Sequence, residues 1–480
     1  MKELTLTIVV TSLVVISLIS PVRAEIVTMD EALTVANNWI TVLLQKKGTW
    51  GDANTAHVED VQEFQRDGRI LGYFCRVWPK GYIIISLRKE LAPVKACSAT
   101  SDLDPASEEG MVDLIKDCME RILNTIEKEV GPLHSARTED ISKILEIDYR
   151  TAWAELGRDE ETFEKGLGLG VITMNYQEGG VLLDTRWSQG DPYNRDCPPP
   201  PSGDDCDRPR CSVGCVATAA AQIMRYWYWP PYGVGSGYDD PYDWVNMPDD
   251  VTGTSPAAQI NAVAELCHEI GVAVDMDYCD GDGCASAVST EDMEDVYEGP
   301  YRYSDSCYRL NRVVYTPEEW FNEVKIQINS NQPIQYRVVD HSIVADGWRV
   351  LGVLQYHMNY GWDDEYTTWY TLDALHKGDF FEEYMMVNIF PVTSVRHAIV
   401  GVYPRGDFNF RYFNQDASGS SAIFESGQNF QFLPKIVVTS SGNIEFGGNS
   451  RFFTRGDMSR GIRTDIGGIS MYSGGQMKLY

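Results

Sequence analysis

The stretch Gly214-Cys215-Val216-Ala217-Thr218-Ala219-Ala220-Ala221-Gln222-Ile223-Met224-Arg225-Tyr226-Trp227 places one cysteine directly ahead of an alanine-rich run. Alanine is the best helix former, and Val216, Ala219, Ala220, Ile223 and Trp227 recur at helical spacing. The run therefore predicts a buried helix from Cys215 to Trp229, stopped by Pro230-Pro231. A thiol at a helix N-terminus meets unpaired backbone N–H groups and the positive end of the macrodipole, which favour the thiolate. Far downstream come Asp340-His341-Ser342 and Tyr356-His357-Met358-Asn359-Tyr360-Gly361-Trp362. Cysteine, histidine and asparagine in that order suit a nucleophile, a base and a group that orients the base.

The 480 residues leave room for about three domains. A formal net charge of −30 argues against nucleic acid or an anionic membrane surface as the main partner. At the N-terminus, Lys2 precedes an apolar run from Leu4 to Ile19, followed by Val22-Arg23-Ala24. That pattern predicts a signal peptide over 1–24, cleaved after Ala24. The run is short for a membrane span, so stable insertion after cleavage is not expected, and secretion is. Export permits disulfides. With 11 cysteines, setting Cys215 aside as a free nucleophile leaves ten for bridging. Cys279 and Cys284 bracket a short turn and suggest one local bridge between them. Cys206, Cys211 and Cys215 are close enough to consider zinc, but they fit no CxxC pair, and no metal or cofactor is expected.

Residues 25–175 read as a separate α+β unit with nothing catalytic in it. Thr28-Met29-Asp30-Glu31 is a capping box, Asp67-Gly68 a hairpin turn, Tyr82–Ser86 a strand, and Met111 to Ile126 a long amphipathic helix. A unit lying between a signal peptide and a nucleophile suggests a propeptide. Residues 176–394 hold every candidate site residue, and their second half reads as an antiparallel meander over 333–338, 341–345, 353–358 and 367–370. Helix-borne cysteine and sheet-borne histidine then face each other across two lobes. Residues 395–480 lose cysteine and tryptophan and alternate short apolar runs with glycine-rich turns, as expected of a β-rich accessory module.

The stretch from Gly214 to Met224 resembles, almost letter for letter, the nucleophile motif of the streptopain family of bacterial cysteine peptidases. His341-Ser342-Ile343-Val344-Ala345-Asp346-Gly347 and His357-Met358-Asn359-Tyr360-Gly361-Trp362 are similar to that family's two later motifs. Trp187-Ser188-Gln189-Gly190 resembles its oxyanion segment. The resemblance implies a papain-like fold and a secreted cysteine endopeptidase acting on protein substrates. It also implies a zymogen whose own propeptide is an intramolecular inhibitor. Cys215 is then the nucleophile, His341 the general base and acid, and Gln189 an oxyanion donor. Asn359 would fix the His341 ring and Trp362 shield the pair, while His357 is structural. An apolar residue two positions before the scissile bond is implied as well.

Three departures from the family pattern stand out. Asp340 replaces the usual glycine, which would raise the histidine pKa. Tyr360 replaces tryptophan, and Asp363-Asp364 replaces a glycine pair. A transglutaminase-like acyltransferase and an inactive adhesive protein on a peptidase core are the alternatives.

Overall fold

The computed structural model describes residues 26–371 except 146, 173, 175, 204–205, 231, 281–283, 339 and 363–366. It also describes 383–391 and the backbone of short strands between 407 and 479. The expected leader, Pro231 and the Asp363-Asp364 turn lie outside the described residues.

The N-terminal unit opens with α1 (Met29–Lys47), whose capping box is formed by Thr28 and Glu31 and whose end is closed by left-handed Gly48. Strands β1 (His57–Arg66) and β2 (Arg69–Trp78) make the hairpin, with Asp67 and Gly68 both at positive φ. Strands β3 (Tyr82–Ser86) and β4 (Val94–Ser98) are buried on both faces. One face is covered by α1 and the other by α2 (Gly110–Val130). Three short helices follow, α3 (Thr138–Ser142), α4 (Arg150–Leu156) and α5 (Glu160–Gly168).

The second unit contains β5 (Tyr176–Glu178), the predicted nucleophile helix α6 (Cys215–Trp227), α7 (Ala257–Ala273) and α8 (Met293–Glu298). After these come β6 (Tyr308–Asn311), α9 (Pro317–Asn329), β7 (Ile334–Val338), β8 (His341–Leu351), β9 (Leu354–Asn359), β10 (Thr368–Thr371) and β11 (Tyr384–Val387). Helix α6 ends two residues before its expected stop. Tyr228 turns left-handed at φ 52°, so the chain leaves the helix before Pro230 is reached.

The two units share one eleven-stranded sheet in the order β1-β2-β3-β4-β10-β9-β8-β7-β11-β6, with β5 on β8. The meander β7–β10 is antiparallel, as its alternation predicts. The seam is β4 on β10, where Trp369 pairs with Cys97 and Tyr370 with Ala96. Side chains reinforce it. Thr371 Oγ1 donates to the Val94 carbonyl (2.8 Å), Thr368 Oγ1 to the Cys97 carbonyl (2.8 Å), and the Tyr82 hydroxyl to Thr368 Oγ1 (3.0 Å). An exposed strand edge is a template for pairing, and here each unit covers the other's edge.

Two disulfides, Cys206–Cys284 and Cys211–Cys279, correct the expected local bridge between Cys279 and Cys284. Each of those two reaches back instead to the loop ahead of the nucleophile. Ser212 N–H donates to the Cys284 carbonyl (2.9 Å) and Ser286 Oγ to the Ser212 carbonyl (2.7 Å), so the segment entering α6 is stapled along its length. Cys215 is free.

Within 395–480 the strands stack parallel as three three-stranded sheets. Asp407 pairs with Asn429 and Asn429 with Arg451, so successive turns of the chain repeat in register. This is the rung geometry of a β-solenoid, in which each repeat rests on its neighbour.

Replacing both cysteines of the Cys206–Cys284 bridge by serine is expected to cost about 2–4 kcal/mol in urea unfolding. It should also loosen the Ser212 amide in hydrogen exchange while leaving β2 and β3 protected.

Candidate active site

Gly214 is the N-cap of α6, at φ 87°, with the Met276 side chain and the Ser286 carbonyl where a Cβ would sit. No other residue fits that corner. The next residue, Cys215, is thereby delivered to the first turn of a helix that is otherwise buried along its length. It is half-buried, and the backbone N–H of Ser342, the residue after His341, favours its thiolate. Helix α6 packs on β8, the strand that His341 opens.

His341 starts β8 and is buried. Its Nε2 lies 2.9 Å from the Tyr360 carbonyl. A carbonyl only accepts, so Nε2 carries the proton and Nδ1 is the free base. The ring stacks on Trp362, with centroids 4.2 Å apart and planes 23° apart, and Tyr360 adds a further parallel layer. Trp362 thus covers one face of the imidazole, and Tyr360 supplies a second aromatic ring beside it.

Asn359 does not touch His341 directly. Its Oδ1 accepts from Gln222 Nε2 (3.2 Å) and Gly361 N–H (3.0 Å), and its Nδ2 donates to the Thr185 carbonyl (2.8 Å). Asn359 therefore fixes the turn whose Tyr360 carbonyl holds the ring. Gly361 sits at φ 69° against the methyl of Thr218 in α6, so the turn and the helix are in contact. The carbonyl of Gln189 accepts from Val213 N–H (3.0 Å), which sets its segment beside the chain entering Cys215, and its side chain is half-buried.

The other histidine of the meander, His357, is engaged elsewhere. Its Nδ1 lies 2.6 Å from Asp346 Oδ1, and wholly buried Asp346 also accepts from Leu183 N–H (3.0 Å). The pair anchors the 181–185 segment to the sheet.

Three contributors were not apparent from sequence reading. Gln335 is wholly buried; its Nε2 donates to the Val216 carbonyl (3.0 Å) and to Ser342 Oγ (3.1 Å), and its Oε1 accepts from the Tyr297 hydroxyl (2.8 Å). It joins the thiol's helix to the imidazole's strand. Gln222, nearly two turns further along α6, ties the helix to Asn359 at the end of β9 and to Thr185. Buried glutamine amides were the available signal, at Gln222 in an otherwise apolar helix face and at Gln335 in a strand. The third is Arg337 on β7, whose charge acts on both Cys215 and His341.

Burial pushes the Cys215 thiol up, against the Ser342 N–H and the Arg337 charge. Burial likewise pushes His341 down, to about 4, with Arg337 adding to the effect. The expected upward push from Asp340 is corrected here. Its side chain is 83% exposed and turned to Arg337 at 4.0 Å, so it is screened by water rather than aimed at the ring.

Residues 187–370 match the model of the Peptidase C10 family. Streptopain of Streptococcus pyogenes is 30% identical over 227 residues, covering 41% of this chain and 56% of streptopain. The thiol protease/hemagglutinin PrtT of Porphyromonas gingivalis is 28% identical over 214 residues, covering 40% of this chain and 23% of that protein. The chain thus spans about half the length of streptopain, and the resemblance to the streptopain family holds over this segment. A fragment of Prevotella intermedia prointerpain A superimposes with a TM-score of 0.52 at 23% identity, over 69% of this chain and 98% of the fragment. The papain-like α+β fold is shared with it.

A folded histidine held near 4 against an unfolded value of 6.5 makes the unfolded chain take up its proton first as pH falls. His341 therefore favours the fold above pH 6.5, and that contribution is lost between about 6.5 and 4, amounting to roughly 3 kcal/mol. Urea unfolding at stepped pH, compared between the Cys215→Ala chain and the same chain with His341→Gln, should show this slope only in the former.

Proposed function

We propose that this chain is a secreted cysteine endopeptidase made as a zymogen. The reading is carried by one observation, a cysteine at the start of a helix that packs on the strand opened by an imidazole whose Nε2 is committed to a carbonyl. An imidazole so held has Nδ1 left to act as the base, and it opens the strand on which the thiol's helix packs.

In the reaction His341 Nδ1 takes the thiol proton and the thiolate attacks the peptide carbonyl carbon. Charge develops on the carbonyl oxygen, where the Cys215 N–H and the Gln189 amide would donate to it. The imidazolium then protonates the leaving amine, the C–N bond breaks, and a thioester remains on Cys215. Water, deprotonated by His341, hydrolyses the thioester and restores the thiol. The α6 dipole favours the thiolate throughout.

Residues 1–24 are read as the leader, 25–175 as the inhibitory propeptide, 176–394 as the peptidase and 395–480 as an accessory module. No helix among the described residues is long and apolar enough to cross a membrane. The latent state is supported by the electrostatics of the intact chain. With the thiol pushed up and the imidazole pushed down, the pair stays neutral near pH 7 rather than becoming thiolate and imidazolium. The N-terminal unit reaches the imidazole through Tyr360, which stacks on His341 and shares one core with Phe64, Tyr82, Met111 and Met119. Between the two units, Leu169 and Val171 are 68% and 62% exposed. An apolar, accessible link of this kind is where processing is expected.

Incubation of the purified full chain should release the N-terminal unit by cleavage between 165 and 180, read by mass spectrometry, and Cys215→Ala should abolish it. Caseinolysis persisting in Cys215→Ala overturns the proposal, and amine incorporation exceeding hydrolysis favours an acyltransferase. Gln189→Ala should lower kcat by about 10²–10³ while leaving Cys215 alkylation intact.

A further inference from the structure

Helix α7 packs against α6 and carries Glu265 and Glu269 one turn apart on the same side. The loop that follows α6 brings in Asp240. One oxygen from each of the three carboxylates lies within 4.8 Å of the other two. Glu269 is only 7% exposed, and its Oε2 has no hydrogen-bond partner. A buried carboxylate oxygen left unpaired is costly, and two further acids beside it add repulsion.

We propose that Asp240, Glu265 and Glu269 form a calcium site. The donors are all carboxylate oxygens, without the nitrogen or sulfur that transition metals select. Three carboxylates offer up to six oxygens in an irregular arrangement, which calcium accepts and magnesium, held to a strict octahedron, does not. One partner comes from a loop and two from a helix. The ion therefore pins the Asp240 loop to α7, which supports the nucleophile helix. The same loop packs Tyr238 and Tyr242 on Tyr301, with centroids 6.1 and 6.4 Å apart. The proposal is independent of the peptidase reading.

Those aromatic rings make the site visible to terbium, which takes calcium sites and emits when excited through nearby tyrosine or tryptophan. The full chain carrying Cys215→Ala, stripped with chelator, should give saturable sensitised emission with terbium. Calcium should displace it at concentrations at least about tenfold below those of magnesium. Calcium alone should raise Tm, because only the folded chain assembles the three ligands. Glu269→Gln and Glu265→Gln should each weaken terbium binding about tenfold or more. Should either fail to fold, Asp240→Asn on the exposed loop carries the same expectation. Absence of saturable emission, a Tm indifferent to calcium, or unchanged terbium affinity in Asp240→Asn would overturn the site.

Discussion

Two buried glutamine amides hold the thiol and the imidazole to a common frame. Gln335 spans from the Val216 carbonyl in the first turn of the nucleophile helix to Ser342 beside His341. Gln222, further along that helix, grips Asn359, and Asn359 shapes the turn whose carbonyl fixes the imidazole tautomer. A buried amide left unpaired costs about 1–3 kcal/mol, so each of these groups tolerates only one relative placement of helix and sheet. Apolar packing alone would let the two slide; directional bonds in a low-dielectric interior do not. The catalytic geometry proposed for this chain is therefore a property of the contact between the lobes, and the disulfides that staple the 206–214 segment brace it from the other side.

The same compactness explains the proposed latency. A nucleophile needs its thiolate, yet the interior that orients the sulfur also disfavours charge on it, and the imidazole suffers the opposite shift. Helix dipole, Ser342 N–H and Arg337 all favour the thiolate, but burial outweighs them. That unit is joined by strand pairing at β4 and β10 and by a shared core, so its removal exchanges a protein neighbour for water. On the proposed processing, solvation around Tyr360 and the imidazole is what would change.

Much of this was legible in the chain itself. The Thr28 capping box, the Asp67-Gly68 hairpin and the four-strand meander each rest on local rules, and the structure contains each of them. The disulfide pattern was not legible. Cys279 and Cys284 look like partners in sequence, but both face the loop ahead of the nucleophile, and only the path of that loop decides the pairing. Asp340 shows the same limit. Adjacency to His341 suggested a charge on the ring, whereas the β7–β8 turn directs the carboxylate to water. Arg337 and Gln335 carry no local motif, since their roles exist only once β7 lies under the helix terminus.

What the sequence determined alone is the chemistry available: a thiol at a helix start, an imidazole on a strand, an asparagine two residues past a second histidine. These follow from propensity, periodicity and order along the chain, all of which are short-range. Which histidine faces a backbone carbonyl and which a carboxylate, and which way burial moves the thiol and the imidazole, were decided by the tertiary structure. Those outcomes depend on distance and on exclusion of water, and both are set by packing between segments that short-range rules do not relate, some more than a hundred residues apart.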